Sequence, residues 1–370
     1  MRDKNILFGI LILFFLFFLR TSPCLGKETS FTLICTSNNL GEVEPCFTCP
    51  EAGENGGLPR RSHFVSTVRK EGKPLLILDA GDALAIDYFS RSSEREKARK
   101  RAEVVLRLYE RIGYEALNIG DTDIGLGIEY LKNLQRRVNI PFLSANLKHR
   151  KTGKPVFNPY LIKDVDGAKI GIIGLLTANV PSYLQKEMKN YLIEEPIKVA
   201  VNLVQGPMSR CSYIFALAHL TPSEIESLAQ RVPDTSIIIG GQDRSLVFPI
   251  KINRSIVAQT DAFGFHVGKM NLRLVKRSSE WVDVLPKTLL QKNIEEIKRK
   301  IEDPQYEKEA KNLKELRERL IDQQRKLPDA EGKNTYENFL TLMHPKMESD
   351  KEIENLIESS RDQLKRPIPF

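Results

Sequence analysis

Apolar positions along this 370-residue chain alternate between two patterns. Short runs rich in β-branched residues at 31–36, 75–78, 116–119, 142–144, 170–175, 213–217 and 236–239 predict strands. Their length and their Gly, Asp and Pro boundaries suit strands buried on both faces. Helical spacing fills the gaps between them. One helix is predicted from a cap at Ser92 or Ser93 to about Tyr114, with Val104, Val105, Leu108 and Ile112 on one face. Strands alternating with helices predict an α/β domain. From residue 250 to 274 the pattern changes to antiparallel alternation. After Pro286, Leu289, Leu290, Ile294, Ile297 and Ile301 recur amid Lys and Glu up to Pro304, and Leu313, Leu316, Leu320 and Leu327 resume the stripe. That period predicts amphipathic helices, a hairpin or a coiled-coil arm. A further short helix is predicted over 352–364, capped by Asp350.

Composition narrows the class. At 41% hydrophobic, the chain can bury one large core and carry an appendage. Its net charge of +8 comes from Lys and Arg interleaved with Asp and Glu, without an aromatic-spaced basic patch. Nucleic-acid binding is therefore not expected. The N-terminus reads Met1-Arg2-Asp3-Lys4, then an apolar run over 6–19, then Arg20 to Gly26. The run is shorter than the roughly 20 residues that span a bilayer, and it suits a signal-peptide core. Cleavage after Gly26 and lipidation at Cys24 both remain open. The protein is expected to be exported, either periplasmic or anchored, with its N-terminus as the contact to a membrane surface. The expected division is a leader over 1–26, a globular domain over 27–285 and a charged helical tail over 286–370. Removing the leader leaves Cys35, Cys46, Cys49 and Cys211, and in an oxidising compartment such thiols pair or do chemistry.

Five blocks fall just past predicted strand ends: TSNNLG at 36–41, DAGD at 79–82, GDTD at 120–123, ALAHL at 216–220 and GGQDR at 240–244. With GGLPRR (56–61), PFLSANL (141–147) and KIGIIGLLT (169–177), they resemble the catalytic domain of secreted 5′-nucleotidases, a branch of the calcineurin-type metallophosphoesterases. The resemblance covers residues 31–274. It implies a four-layer sandwich of two mixed β-sheets flanked by helices, extended here by the helical tail. It also implies a metal site. In that family an Asp-x-His, a Gly-Asp, a Gly-Asn-His, a lone His and a Gly-His-x-His hold two ions, which stabilise phosphoryl charge and activate water. In this chain the first pair is Asn38 and Leu40. Asp82 is kept, Asp121 stands for the Asn, Thr122 for the catalytic His, His219 is kept, and the last pair is Gln242 and Arg244. Leu40 cannot ligate, and Arg244 brings a permanent positive charge. A two-metal centre is expected to be lost. Two alternatives stay open: one hard divalent ion held by Asp82, Asp121 and Asp123 with His219 as a further donor, or no ion, with Asp82 and Asp121 paired to Arg244.

A Cys-x-x-Cys at Cys46 and Cys49 lies beside the first block, a spacing that suits redox work. Cys35 is near enough in sequence to join it, and Cys211 is expected at the far end of a strand. The cysteine loop, GGLPRR and GDTD together resemble a divergent branch of exported 5′-nucleotidase-like proteins that accompany multihaem cytochromes. That implies thiol or electron chemistry, with Cys46 reactive and Cys49 resolving, and a cytochrome or other envelope redox protein as partner. Arg60, Arg61 and Arg244 are candidates for binding an oxyanion. The aromatic pair that stacks the base in two-domain 5′-nucleotidases has no counterpart in the tail. The expected function is thiol-redox or ligand-binding work at the old pocket; the alternative is an active phosphoric-ester hydrolase with an altered metal site.

Overall fold

The computed structural model describes residues 28–45, 54–86, 91–275 and 278–365. The leader and Cys46 and Cys49 lie outside these. In chain order the strands are β1 Glu28–Thr36, β2 Leu75–Asp79, β3 Ala116–Asn118, β4 Phe142–Leu143, β5 Leu147–His149, β6 Tyr160–Val165, β7 Ala168–Leu176, β8 Tyr191–Ile193, β9 Tyr213–His219, β10 Thr235–Gly240, β11 Val247–Ile252, β12 Ser255–Gln259, β13 His266–Val275, β14 Trp281–Asp283 and β15 Asn334–Leu342. The helices are α1 Leu58–Arg69, α2 Ser92–Ile112, α3 Asp121–Ile124, α4 Ile128–Gln135, α5 Pro196–Gln205, α6 Pro222–Arg231, α7 Leu285–Glu302, α8 Ala310–Arg325 and α9 Lys351–Ser359.

Two large sheets stack face to face. One runs β14-β15-β13-β1-β2-β3-β4, the other β11-β12-β10-β9-β7-β6. Strand alternation explains the stacking. Phe31, Leu33 and Cys35 of β1 turn toward the second sheet, where they join Phe215, Leu217, Ile237 and Ile239. Ile34 turns the other way, into the core under the helices with Val65, Val105 and Leu108. The outer face of the second sheet packs Ile214, Ala216 and Ile238 with Ile197 and Leu228 of α5 and α6. Helix, sheet, sheet and helix make the expected four layers. Strands β1 to β4 run parallel, as do β7, β9, β10 and β12. Their carboxyl ends therefore present loops along one edge, where open α/β sheets place ligands.

Two local expectations need correction. Ser92 is the first helical residue of α2 and Arg91 holds the cap position, without a side-chain cap bond. The segment 286–370 is not one helical tail. Helices α7 and α8 form a hairpin, and every side chain of α8 is at least partly exposed. The chain then returns as β15, which inserts between β13 and β14 and pairs with β13 from Arg273↔Thr335 to His266↔Leu342. The helix over 351–359 is capped by Asp350 as expected, and buries Ile353 and Ile357 in the core beneath the helices of the first sheet. Among the described residues no helix is long and apolar enough to cross a membrane.

Candidate metal centre

The loops after β1, β2, β3, β9 and β10 meet at the sheet edge. Asn38, Leu40 and Asp82 have left-handed backbones, with φ of 52°, 55° and 55°. Asparagine tolerates this region, whereas a leucine there costs about 1–2 kcal/mol. The loop after β1 is held by Asn38 N–H to the Gly81 carbonyl at 2.9 Å and Leu40 N–H to the Asp82 carbonyl at 2.8 Å.

Asp82, Asp121 and His219 converge, each placing one donor atom within 4.8 Å of the others. His219 Nε2 lies 3.1 Å from Asp121 Oδ1 and 3.8 Å from Asp82 Oδ1. His219 is completely buried, and its Nδ1 has no partner. Burial pushes Asp82 well above the usual carboxylate range; His219 opposes that, and the neighbouring charges of Asp121 and Asp123 add to it. Burial also works against Asp121, but the hydrogen bond and charge of His219 hold it low. For His219, burial would lower the pKa, yet the charge of Asp82 and the bond to Asp121 push it up to about 9. Two carboxylates thus converge on one imidazole, with Asp123 close behind Asp82.

Asp123 departs from the expectation that it ligates an ion. It is fully buried, and both of its oxygens are occupied by backbone amides. Oδ2 accepts from Asp82 N–H and Gly120 N–H, each at 3.0 Å, and Oδ1 accepts from Leu84 N–H at 2.9 Å. Thr122 N–H in turn donates to Asp82 Oδ1 at 3.0 Å, while its hydroxyl donates to the Ala85 carbonyl at 2.8 Å. A Cβ at Gly120 would lie 2.0 Å from Asp82 Oδ1, so only glycine lets the two loops approach this closely.

The three arginines also depart from their expected roles. Arg244 is exposed and donates to the Ile86 carbonyl at 3.3 Å, not to Asp82 or Asp121. Arg60 donates to the carbonyls of Glu54 and Gly56. It lines a separate cavity of about 400 Å³ with Glu44, Glu354 and Arg361. Arg61 is only 1% exposed and cannot reach a ligand from solvent. Its Nη1 donates to the Tyr109 and Tyr114 hydroxyls at 3.1 and 3.0 Å, and its Nη2 to Asn39 Oδ1 at 2.8 Å. Tyr109 passes the contact on to Asp79 Oδ2 at 3.1 Å, which also accepts from Thr36 Oγ1 at 2.6 Å. Asp79 Oδ1 accepts Gly81 N–H at 2.9 Å. A buried cation and a buried carboxylate, bridged by a phenol, thus tie the first two site loops together. Burial is the largest influence on Asp79 and pushes it up to about 6, against the bond from Thr36 and the charge of Arg61.

The remaining positions divide by location. Asn38 Nδ2 donates to the Asp243 carbonyl at 3.0 Å, and its Oδ1 is buried without a partner. Gln259 donates to the same carbonyl at 2.7 Å and to Asp243 Oδ1 at 2.8 Å, so hydrogen bonds join the first and last loops. Gln242 is half-buried on that last loop. Cys35 faces the core between the sheets. Burial first, and Asp79 second, push its thiol up to about 12. Cys211 precedes β9, at the end remote from His219, as expected, and both thiols are free. Asp79, Asn39 and Asp243 are structural members of the site, and each lies within a block, DAGD, TSNNLG and GGQDR respectively; Tyr109 and Tyr114 lie in no block, and no sequence signal marks them.

The fold is that of the calcineurin-like phosphoesterases. No protein-family profile matches the chain. A calcineurin-like phosphoesterase from Bacillus subtilis superposes with a TM-score of 0.61 at 14% identity, covering 92% of this chain and 99% of that one. A 5′-nucleotidase precursor from Thermus thermophilus gives a TM-score of 0.61 at 20% identity, over 90% of this chain and 58% of its own. In sequence, a 5′-nucleotidase of Diplobatis ommata is 26% identical over 290 residues, 68% of this chain and 48% of the relative. The chain is a metallophosphatase-like relative of the 5′-nucleotidases, and it spans about half the length of that curated relative.

Proposed function

We propose that this protein holds one divalent cation on Asp82, Asp121 and His219 and uses it to bind a phosphate ester, without the two-metal hydrolytic centre of its relatives. The observation that carries this reading is the convergence of those three donors, with Asp82 and His219 buried and Asp121 half-buried. A two-ion set does not fit these residues. Leu40 is aliphatic and buried, the Thr122 hydroxyl is turned to a carbonyl, and Arg244 points to Ile86. A single-ion set does fit, since two carboxylate oxygens and an imidazole nitrogen are ordinary donors for Mg²⁺, Mn²⁺ or Zn²⁺. Bound there, a cation would supply positive charge to a phosphoryl oxygen. Asp82 and Asp121 supply the anionic charge that retains it, and His219 supplies a neutral nitrogen through Nε2 once its proton sits on Nδ1. Position 122 carries no imidazole to pass a proton to a leaving group, so turnover is expected to be slow and binding to dominate. Calorimetric titration with Mn²⁺, alone and with an aryl phosphate, tests this. Binding of about one ion per chain that is lost in Asp82→Asn supports it. Two ions per chain, or none, overturns it.

A second reading, thiol chemistry at Cys46 and Cys49, has one observation in its favour. The residues flanking that segment are pinned beside the first site loop: a Cβ on Gly57 would lie 3.0 Å from the Pro45 ring, and Leu58 N–H donates to the Val43 carbonyl at 2.9 Å. Export, and a cytochrome as electron partner, belong to this reading. Alkylation of Cys46 and Cys49 that leaves disulfide exchange with a small dithiol unchanged would remove it.

A further inference from the structure

We propose that Asp123 is a positioning residue, whose carboxylate holds the Asp82 loop against the Asp121 loop at the separation that brings the cation donors together. The inference rests on the single-cation reading and adds a residue to it. Three amides reach Asp123, and they come from both sides of the gap. Asp82 and Leu84 lie on the loop after β2, and Gly120 precedes Asp121 on the loop after β3. The Asp82 amide belongs to a donor residue itself, in a left-handed backbone that local preference does not favour. With amides on both oxygens, the carboxylate ties the residues that donate them to one point. The exchange is reciprocal, since Thr122 N–H returns a bond to Asp82 Oδ1. Each carboxylate is therefore anchored by the other's loop, and the side chains of Asp82 and Asp121 are delivered to one face beside His219.

The role predicts an effect on cation affinity that is separate from stability. Asp123→Asn keeps the shape but removes the charge, and it turns an NH₂ group toward a backbone N–H. Mn²⁺ affinity, measured by calorimetry, is expected to fall about 10–100-fold, the usual consequence of losing a group that orients a metal ligand. Met208→Ala, a cavity variant packed beside Gly171 and Cys211 in the separate core on the outer face of the second sheet, should lose melting temperature while keeping the wild-type Kd. An Asp123→Asn Kd within twofold of wild type, whatever its melting temperature, overturns the positioning role and leaves the cation site standing. A wild-type chain that binds no Mn²⁺ overturns both. Should Asp123→Asn not fold, hydrogen exchange on the wild type decides. The amides of Asp82, Leu84 and Gly120 should exchange as one protected group that Mn²⁺ slows further; independent exchange that is indifferent to Mn²⁺ overturns the proposal.

Discussion

Replacing Arg61 by methionine keeps the length of the side chain and removes its charge from a site that is 1% exposed. Three hydrogen bonds go with it, to Tyr109, Tyr114 and Asn39. Asp79 is left fully buried without its counter-charge. Removing one partner of a buried pair costs about 3–5 kcal/mol. Because a phenol bridges this pair, the lower half of that range applies, about 3–4 kcal/mol. At roughly 2 °C per kcal/mol for a domain of this size, the melting temperature should drop by about 6–8 °C. The loss should also depend on pH. Asp79 has a folded pKa of about 6, above its ordinary 3.8. Its contribution to stability is therefore fully present below about 3.8 and is lost as pH rises through about 6. Without Arg61 the folded value rises further, so the loss continues above pH 6. The deficit of the variant should therefore be larger at pH 8 than at pH 5, by roughly one pKa unit's worth, about 1.4 kcal/mol. Thermal melts of both proteins at the two pH values measure this. A drop under about 2 °C, or an equal drop at both, would refute the argument that Arg61 neutralises Asp79.

Three further outcomes are expected. Gly120→Ala places a methyl 2.0 Å from Asp82 Oδ1; it should destabilise the fold by about 1–3 kcal/mol and abolish Mn²⁺ binding, checked by melting and calorimetry. Cys35 should resist iodoacetamide at pH 8 in the native protein, since burial and Asp79 push its thiol up to about 12 and the thiolate is the reactive form; peptide mass spectrometry showing Cys35 labelled as fast as Cys211 contradicts this. Replacing the helical hairpin of α7 and α8 by a flexible linker should shift the melting temperature by only a few degrees, because α8 buries no side chain and α7 buries only Ile294 and Ile297, whereas deleting residues 334–342 should prevent folding.

Much of the fold was legible because strands buried on both faces leave continuous apolar runs, and each predicted run coincides with a strand to within a few residues. The strands that leave no apolar run are those whose burial is partial or whose partner lies far away. β6 exposes alternate residues at a sheet edge. β15 reads Asn334-Thr335-Tyr336-Glu337-Asn338, and its polar positions give no apolar run; its place depends on β13, some 65 residues earlier. At the site, the positions marked by motif spacing include Asp82, Asp121 and His219, which the structure brings together, but also Asp123, which faces backbone amides, and Arg61, which faces tyrosines. Residue type alone does not distinguish a carboxylate that faces a pocket from one that faces three amides. Nor does it distinguish an arginine at a helix start that faces solvent from one that faces two stacked tyrosines, whose ring centroids lie 4.0 Å apart. Those outcomes are set by the approach of loops that only the assembled sheets bring together.

The insertion of β15 bears on how the molecule is made. β1 pairs with β13, and β13 with β15, so three neighbouring strands of one sheet are drawn from residues near 30, 270 and 340. Contacts of such long sequence separation close late and slow the search for the native state. Until residue 342 has left the ribosome, β13 presents an unpaired edge, and Trp281 lacks Tyr336, the ring it meets edge-on at 6.3 Å. The nascent chain therefore carries an open sheet margin from the time β13 forms until β15 is made. A factor that shields such margins during elongation would be needed by this protein more than by one whose sheet closes in chain order.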